Sequence, residues 1–173
     1  MASPQRALAA PRIDVRIAPP FRAAVRAAWL RAIARRVLAA EGFAGPAHVG
    51  VVVADDDTVR ELNQRFLGLD EPTDVLSFGL GAADEAPFAL PPEEAASLGE
   101  VVIAYPTALR QAEEAGRTTE AEVAHLLAHG LLHLLGYDHE RSEDEGAMRR
   151  REEEILAGLP ISTGPFERLH GGL

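Results

Sequence analysis

The chain has no cysteine and no lysine. The first absence excludes disulfides and thiolate ligands, so any metal site must be built from His, Asp and Glu. It also fits a reducing compartment. The second leaves all seventeen basic residues as arginine, the side chain whose planar fork suits phosphate. A base-composition bias explains that pattern equally well. No run approaches the ~18 apolar residues of a membrane span, and the opening Met1-Ala2-Ser3-Pro4-Gln5-Arg6 has no apolar signal core. Cytoplasm is the expected location, with no membrane partner.

What is present fits one globular domain: 173 residues with 47% hydrophobic composition, enough to bury a core. The net charge of −10 argues against an indiscriminate nucleic-acid binder. Its distribution is uneven, because residues 1–40 hold eight arginines against the single acid Asp14. These arginines read as a solvated helix face, with RNA contact as the alternative.

Alternation of Ile13, Val15 and Ile17 with Arg12, Asp14 and Arg16 predicts a half-buried strand. Pro19-Pro20 then opens a helix over about 21–41, with Val25, Trp29, Ile33 and Val37 inward and Gly42 closing it. A second strand spans His48 to Ala54, and Asp55-Asp56-Asp57 caps a helix to about Leu67. Val75–Phe78 and Gly99–Ala104 read as strands three and four, separated by a long loop over 79–98. Pro106 opens a helix that ends at Gly116. Thr119 with Glu122, and Ser142 with Glu145, form capping-box patterns for two last helices. Four strands interleaved with helices imply an α+β or α/β single domain over 12–157, with flexible ends at 1–11 and 158–173.

The chemistry is concentrated in His129-Gly130-Leu131-Leu132-His133-Leu134-Leu135-Gly136-Tyr137-Asp138-His139. Residues four apart on a helix differ by ~40° in azimuth and ~6 Å along the axis, so His129 and His133 share a face. That separation suits two imidazoles closing on one zinc ion with bonds of roughly 2.0–2.1 Å. His139 cannot join them from the same helix. Gly136 sits where a left-handed residue would end the helix and turn the chain back, bringing His139 to a third position. Three imidazoles leave a fourth position open, the catalytic pattern of zinc. His125, one turn earlier, lies ~12 Å along the axis from His133 and should stay outside the ligand set.

The spacing matches the zincin pattern H-E-x-x-H-x-x-G-x-x-H except that Gly130 stands where the glutamate base would be. A peptidase is therefore excluded. No catalytic base is assigned: Asp138 is a candidate, though capping the turn or orienting a ligand imidazole is its better use. Tyr137 reads as packing.

Together with Asn63, the run Asp70-Glu71-Pro72-Thr73-Asp74-Val75-Leu76-Ser77-Phe78 and Leu98-Gly99-Glu100, the histidine stretch resembles the bacterial YbeY family of single-strand-specific endoribonucleases. The resemblance covers roughly residues 50–157. It implies zinc on His129, His133 and His139, a small mixed sheet flanked by helices, and a groove leading to the metal. It further implies processing of ribosomal RNA and ribosome quality control. The expected partners are single-stranded or ribosomal RNA, ribosomal proteins or a ribosome-associated GTPase, and not DNA. The groove residues would be Thr73, Asp74, Ser77 and Arg65. One departure stands out: many members carry an arginine where this chain has Leu67, after Phe66. Two rivals to the nuclease follow from the same residues, an assembly factor with structural zinc and a zinc hydrolase of another substrate.

Overall fold

The computed structural model describes residues 11–43, 47–79, 97–137, 142–157 and 159. Most of the expected N-terminal arm, of the 79–98 loop and of the C-terminal tail, and the residues Asp138 and His139 lie outside them.

Four strands form one sheet: β1 (Arg12–Ile17), β2 (His48–Ala54), β3 (Val75–Gly79) and β4 (Ser97–Ala104), in the order β1-β2-β4-β3. β1, β2 and β4 run parallel, and β3 is antiparallel to β4 at the edge. The sheet is mixed and the domain is α+β, as expected. Five helices complete it: α1 (Ala27–Ala40), α2 (Asp56–Leu67), α3 (Tyr105–Ala115), α4 (Thr119–Leu134) and α5 (Ser142–Ala157).

The period-2 alternation of the strands separates two apolar layers. Val49, Val51 and Val53 of β2 with Val101 and Ile103 of β4 face α1 and α4, where Leu30, Ile33, Val37, Leu127 and Leu131 meet them. Val102, Ala104, Leu76 and Phe78 face the other way and are covered by Val59, Leu62 and Phe66 of α2. A strand buried on both sides must be apolar throughout, which is why β2 reads as a near-continuous valine run.

β4 begins at Ser97, two residues before the expected Gly99, and two helix starts also differ from the sequence expectation. Pro19–Phe21 form a short 3-10 turn and Arg26 is extended (φ −100°, ψ 128°), so α1 begins at Ala27. The cap of α4 is Thr118, whose hydroxyl accepts from Ala121 N at 3.0 Å, one residue before the expected Thr119. Glu122 instead pairs with Arg117 at 2.7 Å. The Asp triplet behaves as expected for a helix start. Asp55 accepts from Thr58 N at 2.7 Å, while Asp56 ties α2 to α3 through Thr107 and Arg110.

Candidate metal centre

α4 is apolar on most of its circumference, and its buried residues run from Thr119 to Leu132. The remaining stripe is His125, His129 and His133, each one turn from the next. The side chains of His125 and His129 are 34% and 31% exposed, and His133 is exposed. The stripe thus opens to solvent from a helix that is otherwise anchored in the core.

The anchoring is closest at Gly130. A Cβ built there would stand 2.6 Å from Val101 Cγ1 and 3.2 Å from Ser77 Oγ. Ser77 Oγ donates to the Gly130 carbonyl at 3.0 Å, which fastens α4 to the edge strand. The glutamate of a zincin cannot stand at this place, because position 130 faces the sheet rather than a substrate.

The helix stops as the sequence suggests. Gly136 has φ +104°, and its amide donates to the His133 carbonyl while Tyr137 N donates to Leu132 O, both at 3.1 Å. The turn is then tied down from outside. Tyr137 Oη donates to Glu41 Oε2 at 3.0 Å, and Arg151 of α5 reaches Glu41 Oε1 and the Ala40 carbonyl. The turn that leads toward His139 is thus clamped between the end of α1 and α5.

Behind the histidine stripe lies a residue that sequence reasoning missed. Glu152 of α5 is 2% exposed, and its carboxylate oxygens lie 2.6 Å from His129 Nδ1 and 2.8 Å from His125 Nδ1. Burial raises the carboxyl's pKa, but the hydrogen bonds from His125 and His129 outweigh it and hold Glu152 below the ordinary glutamate range. The same hydrogen bond raises the pKa of His125. Four residues after Met148, Glu152 falls on the inward face of α5, yet three consecutive glutamates at 152–154 mask it in the sequence. Its inward position is the only signal that could have singled it out.

Among the described residues no three His, Asp or Glu side chains converge in a way that could hold an ion. His129 and His133 are placed one turn apart as the ligand spacing requires, and the third expected ligand, His139, is outside the described residues. What is described fits a metal centre, since a ligand imidazole with a carboxylate on its other ring nitrogen is the usual arrangement around zinc.

The other residues singled out in the sequence lie apart from the stripe, except Ser77 against Gly130. Asp74 holds the start of β3, its carbonyl accepting from Ala104 N at 2.8 Å and its carboxylate from Gln111. Thr73 is half-buried beside it. Arg65 is exposed and lies over the Phe66 ring at 5.3 Å. Leu67, where the resemblance led to the expectation of an arginine, is 53% exposed. Of the α1-side arginines, Arg22 and Arg31 donate to the Ile17 and Ile13 carbonyls of β1. No helix of the described residues is long and apolar enough to cross a membrane.

Comparison with known proteins points one way. The family described as Endoribonuclease YbeY matches residues 21–160. A protein named Endoribonuclease YbeY from Roseiflexus sp. (strain RS-1) is 45% identical over 151 residues, covering 87% of this chain and 94% of that protein. One of the same name from Desulforamulus reducens is 49% identical over 127 residues, covering 72% and 80%. The solution structure of TM1509 from Thermotoga maritima aligns with a TM-score of 0.51 at 28% identity, covering 84% of this chain and 89% of that one. Matched over most of its length by one family, the chain belongs to the endoribonuclease YbeY family.

Proposed function

We propose that this chain is a zinc-dependent endoribonuclease that cleaves single-stranded RNA, with ribosomal RNA maturation and quality control as its setting in the cytoplasm. The general part follows from the family, since an endoribonuclease is a hydrolase of RNA phosphodiester bonds. The observation that carries the metal part is the seating of His129 on the buried Glu152 carboxylate, one turn from His133 on the open side of α4.

In this reading His129, His133 and His139 hold the ion. Zinc, when bound, supplies Lewis acidity toward water and toward a phosphoryl oxygen. α4 supplies rigidity: Gly130 against Val101 and the Ser77 bond set its distance from the sheet, so His129 and His133 stay in place. The Tyr137–Glu41–Arg151 clamp does the same for the end of α4 at Tyr137. Asp138 is given a supporting role. The surface assigned to the RNA strand is formed by Thr73, Asp74 and Ser77 at β3, with Arg65 on α2. Ribosomal proteins or a ribosome-associated GTPase are the further partners of this reading.

The deciding experiment measures metal content and cleavage of single-stranded and duplex RNA of one sequence on one preparation. One equivalent of zinc with cleavage confined to the single strand is expected. Stoichiometric zinc without cleavage of either RNA would favour the assembly factor in which the metal is structural.

A further inference from the structure

We propose that Glu152 is the positioning residue of the metal centre. Its carboxylate sorts the three histidines on one face of α4, holding His129 in place as a ligand and keeping His125 out of the ligand set. The inference rests on the metal reading above and adds a residue from a different helix.

Helix geometry alone leaves an ambiguity. Histidines at 125, 129 and 133 form two equivalent i, i+4 pairs, and either pair could close on an ion. Glu152 breaks the equivalence. The Nδ1 atoms of His125 and His129 converge on its two oxygens at 2.8 and 2.6 Å, with the rings tilted by 46° and their centroids 6.1 Å apart. This pair therefore points its Nδ1 atoms at a carboxylate.

The carboxylate also chooses the tautomer. An ionised carboxylate only accepts hydrogen bonds, so both imidazoles carry their hydrogen on Nδ1 and the ring lone pair on Nε2. For His129 that is the form in which the opposite nitrogen is directed to a metal and made more basic. For His125 the same bond draws the ring into the groove between α4 and α5, beside Arg117, Arg149 and Glu153. Because Glu152 is buried and α5 is held by Met148 and Ile155 in the core, the arrangement exists before an ion arrives.

The test is Glu152→Gln, which keeps the shape but puts a donor amide in place of one of the two oxygens, so one of the two rings, each seated on its own oxygen, loses its acceptor. In metal-free protein with labelled imidazole nitrogens at alkaline pH, nuclear magnetic resonance should show the Nδ1–H form at His125 and His129. In Glu152→Gln at least one ring should change form, and competition with a chromogenic chelator should show zinc bound about 10–100-fold more weakly. His125→Ala should keep both zinc and the His129 tautomer. The proposal is overturned if wild-type His129 carries its hydrogen on Nε2, if folded Glu152→Gln binds zinc as tightly as wild type, or if His125→Ala releases the metal. The first two outcomes leave the metal reading standing, and the third leaves a bound metal but puts His125 among its ligands. Wild-type protein that takes up no zinc would overturn both.

Discussion

Gly130 and Val101 meet so closely that a Cβ on the glycine would lie 2.6 Å from Val101 Cγ1. A glycine in mid-helix ordinarily costs about 1 kcal/mol relative to alanine, so its presence here has to be explained by the approach of α4 to the sheet. Gly130→Ala should destabilise the fold despite the gain in helix propensity, by about 1–3 kcal/mol. Urea unfolding of the variant would measure it, and an unchanged or raised midpoint would mean that Val101 and α4 yield freely.

The same contact bears on peptidase chemistry. Wild-type protein should show negligible turnover of casein. Gly130→Glu should fail to create any, because the new side chain has the core in front of it rather than a peptide. Metal-dependent proteolysis that disappears in His129→Ala would contradict this.

Metal content should follow the ligand assignment. His133→Ala and His139→Ala should each lose zinc or bind it far more weakly. Elemental analysis of His133→Ala with a full equivalent of metal would remove that residue from the site.

Glu100 on β4 is 1% exposed, and neither carboxylate oxygen has a hydrogen-bond partner among the described residues. Burial pushes its pKa up to about 7, against an opposing pull from Arg16. The folded state therefore binds this proton more tightly than the unfolded chain does. Its stabilising effect is complete below the ordinary value of 4.5 and is lost as pH rises through about 7. Glu100→Gln should gain on wild type across that window, by up to about 3 kcal/mol at its alkaline end. Stability curves of the two proteins that stay parallel from acid to alkaline pH would sink the argument.

Leu67→Arg puts the arginine expected from the resemblance at an exposed position. Stability should stay within about 0.5 kcal/mol of wild type, while cleavage of single-stranded RNA should rise. No change in cleavage would mean that another arginine already supplies the charge.

The sequence by itself determined what depends on local spacing. A period of 2 revealed β1, a valine-rich run revealed β2, and a shared helix face placed His129 beside His133. Gly136 marked the helix end because its left-handed φ of +104° is one that a side chain disfavours. These are properties of a few neighbouring residues, so they are legible before folding. The tertiary structure alone decided who stands behind those residues. Glu152 meets His129 from 23 positions away, Ser77 meets Gly130 from 53, and Arg151 meets Glu41 from 110. No periodicity links such pairs. One glutamate in a run of three becomes a histidine's partner only because the packing of Met148 and Ile155 turns that face of α5 inward, where a buried carboxylate must find donors.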